Sequence, residues 1–254
     1  MKSLLAEHRG TRRPIFAIAL ALALIASSMA CSFFGWQVVR GSGNVTTEER
    51  QVSGFTGVAL SGSGHLIIEE GESEGLRVEA EDNLLPYIVT EVKGGVLELG
   101  QRPNVNLWPR QPINFYLTIT NLESLVVSGS GQAEAPELAA DRFNLVISGS
   151  GDAKLDSLDT QDLTVRISGS GKVDIGGGNA DKQDVDISGS GKYAAPDLNS
   201  TDAQVHISGS GSATMRVSEN LNVVVSGSGD VQYYGRPRVQ QTVSGSGKVR
   251  QIGD

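Results

Sequence analysis

The 254-residue chain contains one cysteine, Cys31, so no intramolecular disulfide can staple it. Aromatic residues make up only 5%, which excludes a bulky aromatic core and leaves Val, Ile, Leu and Ala to fill a narrow one. Beyond residue 30 the only histidines are His65 and His206. They sit beside different repeats, and solvent-facing positions suit them better than a metal pair. The dipeptides Asn-Gly and Asp-Gly, the strongest signals for two-residue hairpins, do not occur. No apolar run reaches membrane-spanning length; Ile15 to Ala26 covers 12 residues. Positive charge is also short. Beyond residue 30 there are 17 Lys+Arg against 28 Asp+Glu, a net charge of −11, which argues against nucleic acid or anionic headgroups as partners through charge alone.

What the chain does have is Ser-Gly-Ser-Gly. The tetrapeptide starts at Ser61, Ser128, Ser148, Ser168, Ser188, Ser208, Ser226 and Ser244. From Ser128 to Ser208 each copy follows the last by 20 residues, and the final two steps are 18. A fixed period of this size marks stacked repeats. Around Ser168, apolar and polar residues alternate on both sides: Leu163, Val165, Ile167, Val173 and Ile175 share one parity. That is the period of a strand with one buried face. Gly169 and Gly171 fall on the same parity, where a side chain would not fit or φ must be positive. The tetrapeptide therefore reads as a corner between two short strands.

The other copies keep the apolar slots. The residue before the first Ser is Leu60, Val127, Ile147, Ile167, Ile187, Ile207, Val225 or Val243, and the slot two earlier is apolar until Gln241 breaks it. A third apolar position, ten after the first Ser, holds Leu138, Leu158 or Leu198, with Gly178 in one copy. Such a unit cannot bury its inner face alone but can when stacked. The expectation is an all-β fold, a single-chain parallel β-helix with coils of about 20 residues turning at the Ser-Gly-Ser-Gly corners. At ~4.8 Å per step, the coils from Ser128 to Ser244 span roughly 29 Å.

The ends differ from the repeats. Lys2, Arg9, Arg12 and Arg13 precede the apolar run, and small residues follow it, so residues 1–30 read as a signal peptide. Two processing outcomes stay open. Ser28 and Ala30 fit the small-x-small rule of ordinary signal peptidase, whereas Cys31 stands where a lipoprotein's acylated cysteine would, as the candidate lipid attachment. Either way the chain is exported, and the membrane is reached through the N-terminal segment or a lipid on Cys31. Residues 31–43 read as a tether and 44–254 as the head domain, with 44–122 as less regular capping coils and 123–254 as regular repeats.

No constellation of catalytic or metal-binding residues emerges. None of the eight corners has a histidine base beside its hydroxyls, and nucleophiles do not come in eightfold rows. Gly176-Gly177-Gly178-Asn179-Ala180-Asp181 has the look of a calcium-binding repeat but occurs once; a corner is the simpler reading. Asp156 with Asp159, or Asp181 with Asp184, could serve glycoside chemistry. Trp36, Trp108, Tyr116, Tyr233 and Tyr234 could stack on sugars. No cofactor is expected.

The run Arg50-Gln51-Val52-Ser53-Gly54-Phe55, the corner at Ser61, the segment Val78 to Leu85 and the ending Tyr234 to Pro237 through Ser244 to Gly247 resemble the auto-transporter adhesin head domain, or head GIN domain, family. The resemblance covers about residues 41 to 252. It implies a β-helical, exported bacterial protein and brings no catalytic residues. The expected function is a non-catalytic cell-envelope module, adhesin-like or scaffolding, that binds a protein or glycan at the cell surface. The alternatives are a polysaccharide-acting β-helix enzyme, which would need acids gathered with Lys or Arg in a groove, and an envelope-stress or signalling partner.

Overall fold

The computed structural model describes residues 37–254. Residues 1–30, read above as a signal peptide, and Cys31 and Trp36 lie outside the described residues. In chain order the first strands are β1 (Gln37–Arg40), β2 (Val45–Arg50), β3 (Gly57–Gly62), β4 (His65–Glu70), β5 (Gly75–Glu81), β6 (Ile88–Lys93), β7 (Val96–Gln101), β8 (Val105–Trp108) and β9 (Asn114–Ile119). The next are β10 (Ser124–Gly129), β11 (Gln132–Gly149), β12 (Asp152–Gly169), β13 (Lys172–Ile175), β14 (Gly178–Gly189) and β15 (Lys192–Ala195). The last are β16 (Leu198–Gly209), β17 (Ser212–Arg216), β18 (Asn220–Gly227), β19 (Asp230–Tyr234), β20 (Arg238–Gly245) and β21 (Lys248–Gly253). Together they form a parallel β-solenoid of about six turns.

The repeat period becomes the register. Ser128 pairs with Ser148, Ser148 with Ser168, Ser168 with Ser188 and Ser188 with Ser208, all in parallel ladders. The two 18-residue steps continue the column, Ser208 to Ser226 to Ser244. Ser61 also lies in it, paired with Ser128, 67 positions further along the chain. Each coil has three walls. One precedes the corner and ends at Ser-Gly. A second follows it, as in Lys172–Ile175. The third carries the Leu138, Leu158, Gly178 and Leu198 column. The apolar slots of all three point inward: Val165, Ile167, Val173, Ile175, Leu158 and Leu198 are each no more than 1% exposed.

Both corner glycines are pressed against the coil below. Gly171 is buried, and a Cβ there would lie 2.2 Å from the Gly151 carbonyl oxygen and 2.5 Å from the Ile147 side chain. Gly169 instead has φ +125°, and its Cβ would point along the stack, 2.3 Å from the Gly149 carbonyl oxygen. That same oxygen accepts the N–H of Ser170 at 2.8 Å, a bond repeated from coil to coil.

The region read as irregular capping coils holds antiparallel pairs that the repeat pattern does not contain. β7 and β9 continue the stack in parallel beneath β3 and β4. Beyond them β6 pairs antiparallel with β7, β5 with β9, and β2 with β5. Phe55, Leu84, Leu85 and Ile88, all 7% exposed or less, close this end of the core. Glu81 is fully buried here and accepts the N–H of Gly43 at 2.6 Å and of Arg110 at 2.8 Å. The later part of the expected tether is β1, which pairs with β8.

One polar chain crosses the core. The Tyr193 hydroxyl, fully buried, donates to Gln183 Oε1 at 2.6 Å; Gln183 Nε2 donates to Ser200 Oγ at 3.0 Å; Ser200 Oγ donates to the Arg216 carbonyl at 2.6 Å. It links all three walls. Burial pushes the Tyr193 hydroxyl above its ordinary 10.0. The folded state thus holds this proton more tightly than the unfolded chain does. The associated stability is fully present below pH ~10 and is lost as pH rises beyond it. Tyr193→Phe should lose about 1–3 kcal/mol at pH 7, because Gln183 Oε1 is left without its donor. The deficit should shrink at pH 11. Urea midpoints at the two pH values measure this, and a constant gap would contradict it.

Candidate binding groove

The third wall turns into the pre-corner wall at residues 161–162, and equivalent turns stack. Outward side chains therefore form columns. One runs Asp162, Lys182, Asp202, Asn220, Arg238; the next runs Thr164, Asp184, Gln204, Asn222, Gln240. Between them lies a groove of about 620 Å³, floored by Leu163, Gln183, Ala203 and Leu221. It crosses five coils, or roughly 19 Å. The first column alternates in sign until Asn220, whose Nδ2 donates to Asp202 Oδ1 at 2.7 Å. The second is mostly amide and hydroxyl. The groove thus offers hydrogen-bond donors and acceptors at the coil spacing with little net charge. That suits an extended, largely neutral polymer better than a compact anion.

The residues singled out from the sequence are dispersed. His65 lies on β4, with Nε2 3.5 Å from Glu134 Oε2, while His206 is exposed on β16 beside Asp186. Among the described residues, no group of three or more His, Cys, Asp and Glu side chains could hold a metal ion. Asp156 pairs with Lys154 at 2.7 Å, and Asp159 accepts from Asn179 at 2.8 Å. Asp184 joins the groove; Asp181 does not. The glycine run is a corner: Gly178 has φ +104°, and a Cβ there would meet the Leu158 carbonyl at 2.1 Å.

The described aromatics are dispersed, and several have a guanidinium beside the ring. Trp108 is 56% exposed, but Arg40 lies 5.4 Å from its ring centre; Arg77 lies 3.8 Å from Tyr116 and Arg216 4.9 Å from Tyr234. None of these rings lines the groove. Sequence reading missed the groove itself. Its signal was available as the residue taken from every twentieth position at the wall turn. The groove does gather Asp162, Asp184 and Asp202 with Lys182 and Arg238. This is the combination that a polysaccharide-acting enzyme would need.

Comparison with solved structures finds the same fold in bacterial proteins. A protein from Bacteroides fragilis, titled a putative adhesin, is 22% identical with a TM-score of 0.78, covering 84% of this chain and 100% of its own. One from Parabacteroides merdae, also titled a putative adhesin, is 23% identical with a TM-score of 0.71, covering 85% and 99%. One from Parabacteroides distasonis, titled a putative lipid binding protein, is 23% identical with a TM-score of 0.68, covering 85% and 100%. A search of curated proteins found no match. The family model for the "Putative auto-transporter adhesin, head GIN domain" matches residues 54–237, and the chain belongs to that family.

Proposed function

We propose that the protein is a non-catalytic, exported module of the cell envelope that binds a protein or glycan through the groove between the two polar columns. The observation that carries this reading is the groove's construction. Five stacked coils repeat hydrogen-bonding side chains at one spacing, and opposite charges alternate along the column rather than converging on a point. Family membership supports the adhesin-like role. The test is an array of glycans and extended peptides probed with wild type and with Gln204→Ala/Asn222→Ala, two exposed groove residues whose loss should leave folding intact. Binding to one class, weakened at least tenfold in the double variant, is expected. Equal binding by both proteins would remove the groove from the proposal.

The clustering of Asp162, Asp184 and Asp202 with Lys182 and Arg238 favours the polysaccharide-acting enzyme as second reading. The same glycans, incubated with protein and assayed for new chain ends, separate the two. Release of ends by wild type but not by Lys182→Ala would establish catalysis and overturn the first reading.

In this proposal residues 1–31 bring the chain to the envelope, held there by a lipid on Cys31 or released by cleavage after Ala30, and the acylated form is the one put to the test. Wild type should take up a labelled fatty acid and fractionate with membranes. Cys31→Ser should do neither. Label on neither protein, with both soluble, would leave a secreted species.

A further inference from the structure

Antiparallel strands cover one end of the described stack, and β20 and β21 form the other. Among the described residues, β20 pairs only with β18 and β21 only with β19, so each presents a row of unpaired backbone groups. Among the described residues, the inward slots of this last coil are less covered than those before it. Val243 is 39% exposed, whereas Val225, one coil earlier in the same column, is 1% exposed; Val239 is partly covered, whereas Leu221 before it is 1% exposed. Between the two valines stands Gln241, in a slot that holds Val223 in the preceding coil and Val or Leu in the others.

We propose that β20 pairs with β20 of a second copy, antiparallel, across a twofold axis at Gln241. The strand Val239-Gln240-Gln241-Thr242-Val243 is close to a palindrome about its centre. In an antiparallel pair, residues directly opposite lie on the same face. Centring the pair on Gln241 sets Val239 against Val243 of the partner subunit, twice, on the inward face. Gln240 falls opposite Thr242 of the partner subunit and Arg238 opposite Ser244 of the partner subunit on the outward face. No charge meets a like charge along the strand. Lys248 and Arg250 lie on another wall, away from the axis. An amide on a twofold axis can donate to its own mate and accept from it. This gives the polar residue in an apolar slot a role that Val or Leu could not fill: it fixes the register. The contact is isologous and closes at two copies. It also disposes of an open edge that would otherwise template indefinite strand addition.

The test measures the mass of the full-length chain in detergent by light scattering, for wild type, Gln241→Lys and Gln241→Cys, the last with Cys31→Ser. Wild type should be a dimer and Gln241→Lys a monomer, since the substitution places two ammonium groups on the axis. The wild-type melting temperature should rise with protein concentration, whereas that of Gln241→Lys should not. Under mild oxidation Gln241→Cys should give a covalent dimer, and Asn222→Cys, exposed on the same wall one coil earlier, should not. A monomeric wild type, or a dimer that survives Gln241→Lys, would overturn the proposal. So would mass that grows without limit with concentration, because head-to-tail stacking would produce that.

Discussion

Gly169→Val should lose about 3–5 kcal/mol, enough to lower the melting temperature by roughly 10 °C or more. The adjacent Ser168→Ala should change stability by about 0.5 kcal/mol or less. The contrast follows from the stack. At φ +125° a β-branched residue is strained wherever it sits. Here its Cβ would also fall 2.3 Å from the Gly149 carbonyl oxygen. Moving that oxygen breaks the bond it receives from Ser170 N–H, and the coil below cannot retreat because it is held the same way by the next. Ser168, by contrast, points outward and is exposed. Thermal melts of the two variants decide the matter, and equal melting temperatures would mean that the corner tolerates a side chain.

Glu81→Ala should be nearly as damaging, at about 2–4 kcal/mol, by a different route. The carboxylate is fully buried and satisfies the N–H of Gly43 ahead of β2 and of Arg110 ahead of β9. Alanine would leave both donors orphaned and a cavity beside them. The damage should be local. Limited proteolysis should open the chain near residues 41–44 and 109–112 while the repeats stay protected. A variant that melts and resists protease like wild type would show that water replaces the carboxylate without loss.

These two sites mark what the sequence could and could not reveal. The corner was legible because its requirement is local and repeated: Gly169 and Gly171 recur in every coil, and the alternation from Leu163 to Ile175 states which way each residue faces. Glu81 was not legible. Its partners lie 29 and 38 residues away, in loops outside any repeat, and on parity alone it is one more charged residue at a strand end. The antiparallel directions of β2, β5 and β6 were hidden for the same reason: direction depends on where a non-repetitive loop returns. Gln183 lay between. It occupies an inward slot held by Leu163 and Leu221 in other coils, an irregularity that comparison of the repeats could have exposed. That Tyr193 would answer it from another wall needed the fold. The groove was spelled out in the columns that run from Asp162 and Thr164, but its depth comes from how the walls meet.

The in-register corner also makes the solenoid a ruler whose length can change by whole units. Removing the 20 residues 148–167 would join Ile147 directly to Ser168, and every inward slot would meet the same kind of neighbour as before. Removing one residue fewer would turn a wall inside out. Duplication or loss of one coil is therefore a small change to such a molecule, and a single-residue slip a large one. The coils carrying Gln183, Tyr193, Ser200 and Arg216 are the exception, because their cross-core hydrogen bonds tie specific turns together. Length variation among natural relatives should accumulate on the Ser128 side of that tie and spare the turns it spans.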